Sequence, residues 1–368
     1  MKVVVLSCNT NSLTLFRLDM MKSFQKRGYD VVAVGDEPQE KWNDYFQSHN
    51  IKYRQIYVHR NGMNPVSDFR TFLDIKAVLE DEKPDKVFAY HAKSIVYGGL
   101  ATRCLGINEF YPMVAGIGSI FVSKGLKIKL VRAILVAQYK MAMKKARAVF
   151  FQNKDDIDLF VKKKIVKREQ VVLVNGSGVN LDNFIPTPLP SQITFLSVSR
   201  LIKDKGIREY LSACELVKNE FPYVRFMLVG PYDSNPSAIT KEELEPYVES
   251  GVIEYFGEQK DVRPYLNQCS VFVLASYREG VPKSVLEAMA SGRAIITTDA
   301  PGCRETVDDG VNGYLVSVKN AEAIAEKMIE FINDPEKISK MSKAGRQKAE
   351  IKFDVNIINK TICDIMKM

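Results

Sequence analysis

Histidine and tryptophan are scarce in this sequence, and its cysteines are scattered. The 368 residues include 3 histidines, 1 tryptophan and 6 cysteines. The cysteines show neither the spacing of a disulfide framework nor that of a zinc site, which argues against a disulfide-stapled secreted domain and a His/Cys metal centre. This cysteine usage is typical of a reducing cytoplasm.

Long apolar runs are also absent. Residues 3–6 form a short apolar run that polar residues follow at once, which does not fit a cleavable signal peptide. No window holds the roughly 18 uncharged apolar residues that a membrane-spanning helix needs. We therefore expect a cytoplasmic protein without a spanning helix.

Acidic residues are missing from one long stretch. Between Phe110 and Lys154 the chain has no Asp or Glu, and apolar residues alternate with basic ones. The basic residues are Lys124, Lys127, Lys129, Arg132, Lys140, Lys144, Lys145, Arg147 and Lys154. The pattern predicts a basic amphipathic helix on an anionic membrane surface, and the alternative is an ordinary solvated helix face.

The two halves of the chain differ in charge. Residues 1–190 contain 29 Lys and Arg against 18 Asp and Glu, whereas the remainder contains 23 against 26. The basic first half favours a polyanionic partner, for which nucleic acid and an anionic membrane both qualify.

Glycine is missing from the first strand–helix loop. Residues 3–7 predict a buried strand, and residues 13–28 predict one amphipathic helix with Ser12 as its N-cap. The loop between them lacks the Gly-x-Gly-x-x-Gly fingerprint, which argues against a dehydrogenase. Further strands and helices alternate along the chain and predict doubly wound parallel sheets.

A proline-rich connector predicts the domain boundary. Residues 185–190 read Ile-Pro-Thr-Pro-Leu-Pro, which makes a stiff linker, and a new strand–helix pattern begins at Thr194. We therefore place a first domain at residues 1–187, a second at residues 188–353, and a final helical segment at residues 354–368.

Two glutamates follow the most apolar strand of the second half. Residues 270–275 predict a buried strand, Glu279 lies on the loop after it, and Glu287 lies in the next helix, with Pro282 at the first helical position. In an open α/β sheet, ligands bind at this edge, and the helix start favours an anion. A Glu early in a helix is also ordinary dipole compensation, so the spacing alone leaves both interpretations open.

Two cations follow the first strand of that half. Arg200 and Lys205 lie on the loop after residues 194–198. An Arg can bind a diphosphate through two donors and a Lys can bind it as a point charge, so together they predict a diphosphate site.

These motifs resemble glycosyltransferase family 4, the retaining GT-B enzymes. The likeness rests on the Glu279 and Glu287 pair, residues 299–305, residues 310–316 and the Phe-Ile-Pro before the linker. It implies two Rossmann-like domains that face each other across a cleft. The first would bind the acceptor and face the membrane, the second would bind the nucleotide sugar, and residues 354–368 would cross back to the first.

The resemblance also implies site residues. Glu279 would contact the donor sugar and Glu287 the ribose hydroxyls, with Glu279, Arg200 and Lys205 as the catalytic set. The donor-binding residues would be Arg200, Lys205, Gly230, Gly257, Val262, Glu279, Gly280, Val281, Pro282, Lys283, Ser284 and Glu287. The acceptor-side candidates are Asn11, Ser12, His91, Lys93, Gly116, Gly118 and Ser119. The chain has Ala115 where many members of the family have a histidine.

Residues 91–106 and 114–121 resemble bacterial family members that extend undecaprenyl-diphosphate-linked sugars. The implied reaction moves an N-acetylhexosamine such as GalNAc, with retention, from a UDP-sugar to a polyprenyl-diphosphate-linked saccharide at the inner face of the cell membrane. We expect neither a cofactor nor a metal, because Asp156 and Asp158, although spaced as Asp-x-Asp, fall in the first turn of a predicted helix.

Two other functions fit parts of the pattern. A hydrolysing UDP-sugar epimerase would share the fold and the diphosphate site, although the full Arg–Lys and paired-glutamate set argues against it. A nucleic-acid binder would use the basic half, but the basic run lacks interleaved aromatic residues that could stack on bases.

Overall fold

Two α/β units make up the chain. A computed structural model describes residues 1–59, 64–118, 121, 125–233, 235 and 237–368. One unit comprises Met1–Ser177 together with Val355–Met368, and the other comprises Gly178–Asp354. Within the described ranges, none of the helices is long and apolar enough to cross a membrane.

The first unit is built on a parallel sheet. Its strands are β1 (Lys2–Leu6), β2 (Asp30–Gly35), β3 (Lys52–Gln55), β4 (Lys86–Tyr90), β5 (Phe110–Val114), β6 (Val149–Phe151) and β7 (Val171–Leu173). Their order across the sheet is β3-β2-β1-β4-β5-β6-β7. The helices are α1 (Thr10–Phe16), α2 (Leu18–Gln25), α3 (Gln39–Gln47), α4 (Pro65–Glu82), α5 (Ala92–Cys104), α6 (Leu126–Met143) and α7 (Lys154–Lys162).

Both faces of this sheet are covered. Val4 and Leu6 of β1 pack with α4, α5 and α6, whereas Val3 and Val5 pack with α2 and α3 on the opposite face. Successive side chains of a strand point to opposite faces, so a central parallel strand needs apolar residues at every position. This explains why residues 3–6 of the central strand β1 form an unbroken apolar run.

The helix predicted over residues 13–28 is wrong in two details. The structure has two helices, because Arg17 leaves the helical conformation with φ −127° and ψ −6°. The N-cap is Asn9 and not Ser12: the Asn9 side chain accepts a hydrogen bond from the Ser12 backbone N–H at 3.3 Å. Arg17 breaks the helix where its side chain turns into the interior, a contact that helical periodicity does not reveal.

The second unit repeats this plan. Its strands are β8 (Thr194–Val198), β9 (Arg225–Val229), β10 (Glu254–Tyr255), β11 (Val271–Leu274), β12 (Ala294–Thr298) and β13 (Gly313–Val316), in the order β10-β9-β8-β11-β12-β13. The helices are α8 (Ile207–Glu220), α9 (Lys241–Glu249), α10 (Arg263–Leu266), α11 (Lys283–Ala290), α12 (Ala321–Asn333) and α13 (Pro335–Lys348). The predicted architecture of two doubly wound parallel sheets is therefore confirmed.

The first unit ends at Ser177, earlier than the proline-rich connector suggested. Residues 178–187 pack against the second unit: the Arg346 guanidinium donates to the Phe184 carbonyl at 2.8 Å, and Arg293 donates to the Thr187 carbonyl at 3.0 Å. The prolines fix the path of a packed segment, so the unit boundary lies before them.

The last helix, α14 (Val355–Ile365), belongs to the first unit. Ile358, Ile362 and Met366 are buried in the same core as Phe24 and Phe46. The end of the chain therefore completes one face of the first sheet.

Replacing Ile362 with alanine should destabilise the first unit. Ile362 is 1% exposed, and truncating a buried isoleucine typically costs about 2–5 kcal/mol. Ile357→Ala is the matched control, because Ile357 lies on the same helix but is 45% exposed. Urea denaturation of both variants measures the difference, and equal losses would contradict the packing of α14.

Candidate functional site

The strand order reverses once in each described sheet, between β1 and β4 and between β8 and β11. In open α/β sheets, ligands bind outside the carboxyl ends of the strands at such a point. In the second unit, Arg200 and Lys205 follow β8, and Glu279 follows β11. The sheet therefore brings these three predicted residues to the same edge.

Glu279 and Lys205 form an ion pair at this edge. The Ser276 hydroxyl donates to the same carboxylate oxygen at 2.6 Å, and the Glu279 N–H donates to the Pro301 carbonyl at 2.9 Å. Both side chains of the pair are largely buried, with 13% of Glu279 and 21% of Lys205 exposed. Backbone and side-chain contacts together therefore fix the carboxylate.

The loops after β8 and β11 touch through a glycine. Gly206 has φ +67°, and a Cβ there would collide with the Ala275 carbonyl. The same loops are joined by hydrogen bonds to the Asp204 carbonyl from the Tyr277 N–H at 2.9 Å and from the Ser276 hydroxyl at 3.0 Å. Only glycine fits both the backbone angle and the space, and its presence places Lys205 beside Glu279.

Gly302 makes a second close approach. It has φ +85°, and a Cβ would collide with the carbonyl oxygens of Glu279 and Gly280. The Gly302 N–H donates to the Glu305 carboxylate at 2.7 Å. The loop after β12 therefore supports the Glu279 backbone from behind.

Glu287 lies in the first two turns of α11 with 16% of its side chain exposed. Burial raises the pKa of this carboxyl to about 7; Lys283, whose Nζ is 3.9 Å away, opposes the rise and Asp261 adds to it. A side chain in this state accepts and releases a proton near neutral pH. Pro282 was predicted at the first helical position, but it precedes α11 as the N-cap residue.

Arg200 is paired with a different carboxylate from the one that Lys205 holds. Its guanidinium donates to the Asp233 carboxylate at 2.8 Å, and 54% of the Arg200 side chain is exposed. Each of the two predicted diphosphate-binding cations is thus neutralised by a carboxylate of the protein. A diphosphate could take the place of either carboxylate, since it is also anionic and offers more oxygens.

The other donor-side candidates surround this edge. Gly230 follows β9 and Gly257 follows β10, and the Gly230 N–H donates to the Gly257 carbonyl at 2.8 Å. Val262 is the N-cap residue of α10. Gly280 and Val281 are buried ahead of α11, and Lys283 and Ser284 begin it.

In the first unit, Ser12 and His91 lie at the β1–β4 reversal. The Ser12 hydroxyl is 2.8 Å from the Tyr90 hydroxyl and 3.1 Å from the Ser7 hydroxyl, which is 3.3 Å from Nδ1 of His91. His91 has φ +70°, a backbone angle that few residues other than glycine adopt. One polar chain therefore connects the loops after β1 and β4.

The remaining acceptor-side candidates are more dispersed. Asn11 is exposed on α1, and Lys93 donates to the Asp68 carboxylate and to the His59 carbonyl, both at 2.6 Å. Gly116 and Gly118 are exposed after β5. Ser119 lies outside the described residues.

The sequence did not predict four partners of the candidate site residues: Ser276, Asp233, Ser7 and Tyr90. Ser7 and Ser276 closely follow β1 and β11, which lie at the strand-order reversals. Knowledge of the strand order would therefore have indicated both serines as candidates. Asp233 lies far from Arg200 in the sequence, so only the fold shows their pairing.

Asp156 and Asp158 do not converge. Asp156 is buried in the first turn of α7, where its carboxylate accepts from the Asn153 amide at 3.2 Å. Asp158 is exposed, and its carboxylate lies 3.6 Å from the Arg168 guanidinium. Both contacts are those of a helix start and a surface ion pair.

Models of known families match both halves of the chain. The model of glycosyl transferases group 1 matches residues 182–348, and the glycosyl transferase 4-like model matches residues 3–153. The chain is a family 4-like glycosyltransferase. The enzyme class implied by the family resemblance is thus confirmed.

Curated relatives span most of this glycosyltransferase. The N,N'-diacetylbacillosaminyl-diphospho-undecaprenol alpha-1,3-N-acetylgalactosaminyltransferase of Campylobacter jejuni is 28% identical, with 97% of this chain and 96% of the relative covered. The UDP-Gal:alpha-D-GlcNAc-diphosphoundecaprenol alpha-1,3-galactosyltransferase of Escherichia coli is 22% identical, with 79% and 77% covered. The epimerase alternative has no support among these relatives.

Solved structures confirm the GT-B fold of the glycosyltransferase. Anabaena HepE, solved in complex with UDP and glucose, superposes with a TM-score of 0.81 at 18% identity and covers 100% of this chain and 99% of its own. At this identity the likeness concerns the fold alone.

The raised pKa of Glu287 should make stability depend on pH. Between its ordinary value of 4.5 and about 7, the folded protein retains a proton that the unfolded chain has released, so this group makes stability fall as pH rises. Glu287→Gln cannot ionise and should be more stable than the wild type at pH 8, with the gap closing toward pH 4.5. Urea midpoints of both proteins across this pH range measure the difference in stability. Glu322→Gln is the control, because Glu322 is exposed on α12. A difference that does not vary with pH would contradict the raised pKa of the Glu287 carboxyl.

Proposed function

We propose that this glycosyltransferase moves an N-acetylhexosamine, such as GalNAc, from a UDP-sugar to a polyprenyl-diphosphate-linked saccharide during bacterial glycan assembly, with retention at the anomeric carbon. The observation that carries the proposal is the Lys205, Glu279 and Ser276 cluster at the strand-order reversal of the second sheet. The Campylobacter and Escherichia coli relatives, which are named for diphospho-undecaprenol acceptors, support the acceptor class.

Arg200 and Lys205 would stabilise the departing diphosphate. Negative charge grows on the diphosphate as the sugar–phosphate bond breaks, and fixed cations lower the energy of that state. Each cation now holds a carboxylate, Asp233 or Glu279, so donor binding would exchange one anionic partner for another.

If these two cations suffice to stabilise the diphosphate, transfer needs no metal. A sugar-transfer assay with added EDTA tests this, and we expect activity to be kept. Loss of activity that magnesium restores would contradict the expectation.

Glu279 would bind the donor sugar and not attack it. A carboxylate oxygen that already accepts from Lys205 and Ser276 is a poor nucleophile, but it is well placed to accept from sugar hydroxyls. We assign no protein nucleophile, so retention would follow a front-side route in which the leaving diphosphate helps to deprotonate the acceptor. Glu287, buried on α11, would accept from the ribose hydroxyls.

The acceptor would bind in the first unit and reach it from the membrane. The outward face of α6 carries an apolar row, with Leu126 83%, Leu130 64% and Ile134 52% exposed. Lys127 and Lys129 are exposed beside this row. Aliphatic side chains flanked by lysines fit the interface of an anionic bilayer, whereas binding to single-stranded nucleic acid uses aromatic stacking. We therefore place the enzyme at the cytoplasmic face of the cell membrane; Lys124 of the predicted basic run lies outside the described residues.

Replacing Glu279 with glutamine should lower turnover by roughly two orders of magnitude or more, because one preorganised polar contact to the donor is lost. Glu254→Gln is the matched control, since Glu254 is ion-paired with Arg225 at 2.6 Å at the opposite edge of the same sheet. Transfer from UDP-GalNAc to a short-chain lipid-diphosphate saccharide measures both. Wild-type turnover in a folded Glu279→Gln enzyme would refute the assignment.

The pair Lys127→Gln and Lys129→Gln should weaken binding to liposomes that contain anionic lipid, and wild-type binding should fall as salt rises. Activity should drop on a long-chain lipid acceptor but stay near wild type on a short water-soluble one. The control pair is Lys340→Gln and Lys343→Gln, which removes the same charge from exposed positions of α13. Equal behaviour of the two pairs, or no liposome binding at low salt, would contradict the membrane role.

A further inference from the structure

Among the arginines that the structure describes, two are almost completely buried, and they differ in what surrounds them. Arg293 is 0% exposed and donates to backbone carbonyls, among them Leu266 at 2.8 Å and Thr187 at 3.0 Å. These oxygens carry partial negative charge and accept hydrogen bonds, and a guanidinium can only donate them. Arg293 is thus a structural residue that joins the segment before β8 to the second sheet.

Arg17, which is 2% exposed, has much weaker partners. One terminal nitrogen donates to the Ser177 hydroxyl at 3.0 Å and, at 3.3 Å, to the Phe16 carbonyl; the other donates to the Met113 sulfur at 3.1 Å. Cζ of the Arg17 guanidinium lies 4.7 Å from the centre of the Tyr90 ring. Nε has no hydrogen-bond partner among the described residues.

The surroundings of Arg17 do not balance its charge. A thioether is a weak acceptor and a hydroxyl is neutral, and the described part of the chain supplies no carboxylate that pairs with this guanidinium. Burial lowers the pKa of Arg17 accordingly. A buried charge without a counter-charge is costly, and folded proteins rarely retain one without a use for it.

The position of Arg17 suggests that use. Tyr90 ends β4 and Met113 lies near the end of β5, so the guanidinium lies at the carboxyl ends of the central strands. Ser12, which follows β1, is hydrogen-bonded to Tyr90 at 2.8 Å. Arg17 therefore lies beside the strand-order reversal of the first sheet, where ligands of such sheets bind.

We propose that Arg17 is a binding residue for a phosphate or diphosphate group at the β1–β4 reversal of the first unit, which in the proposed reaction is the diphosphate of the lipid-linked acceptor. This assignment of the ligand rests on the proposed function, whereas the anion site itself does not.

The Ser177 hydroxyl occupies the place of an anionic oxygen. It accepts from the Arg17 guanidinium at 3.0 Å, and it lies between Gly176 and Gly178, whose φ angles are +78° and +76°. Displacement of this one hydroxyl would give a phosphate oxygen a terminal N–H of Arg17, with Nε as a second donor. An Arg can then hold the phosphate through two parallel hydrogen bonds.

The decisive variant is Arg17→Met, because it separates binding from folding. Replacing an uncompensated buried cation by an apolar side chain of similar length should leave the urea midpoint unchanged or raise it. Arg293→Met is the contrasting control and should lower the midpoint, since it leaves several buried carbonyls unpaired. A large loss of stability in Arg17→Met would show a structural role and overturn the proposal.

Binding is measured with inorganic pyrophosphate in a background that lacks the donor-side cations, Arg200→Ala with Lys205→Ala. Pyrophosphate should raise the melting temperature of this background protein, and adding Arg17→Met should remove the rise. An equal rise with and without Arg17, or no rise in the background protein, would overturn the anion site. Arg17→Lys should keep part of the rise, because a charge remains.

Kinetics then identify the source of the anion. With the donor-side cations intact, Arg17→Met should raise KM for a lipid-diphosphate acceptor by about tenfold to a hundredfold, as expected for losing a charge-assisted contact, and leave KM for the UDP-sugar unchanged. An unchanged acceptor KM would overturn the acceptor assignment. If the wild type transfers sugar to no lipid-diphosphate acceptor, the proposed function fails, and the pyrophosphate measurement still decides the anion site.

Discussion

The contact between the loops after β8 and β11 is the constraint on which the proposed donor site depends. Gly206 lets one backbone press against Ala275 of the other, and this contact sets Lys205 beside Glu279. The two residues are 74 positions apart in the sequence. A side chain at Gly206 would force the loops apart, because neither the backbone angle nor the space admits a Cβ. The geometry of the cluster therefore follows from one missing side chain as much as from the charged ones.

The charged groups at the candidate sites are either paired with another charged group of the protein or buried at a cost in free energy. Arg200 and Lys205 hold carboxylates of the protein, and Glu287 is buried so that its ionisation is unfavourable. Arg17 has a hydroxyl and a thioether in place of a counter-charge. Burying a charged group without a full counter-charge lowers the stability of a folded protein, and such groups are common at functional sites.

Much of the fold and part of the candidate site could be predicted from the sequence. The apolar runs of β1 and β11 predicted buried parallel strands, and the paired glutamates with Arg200 and Lys205 pointed to one edge of one sheet. The predictions failed where the local structure depends on burial or on contacts with residues that are remote in sequence. The backbone of Arg17 leaves the helical conformation after α1 and its side chain is buried, and Asn9 caps that helix in place of Ser12. Residues 178–187 join the second unit through contacts with Arg293 and Arg346, which are remote in sequence.

The order of residues along the chain thus determined most of the strands and helices, the doubly wound class and the charged residues of the proposed donor site, because local periodicity and loop chemistry depend on near neighbours. Only the folded chain decided the partners: Ser276 and Lys205 for Glu279, Asp233 for Arg200, and the burial of Glu287 and Arg17. Pairing and burial depend on which strands become neighbours, and the strand order that brings β8 beside β11 and β1 beside β4 is a property of the whole sheet. No single segment carries that information.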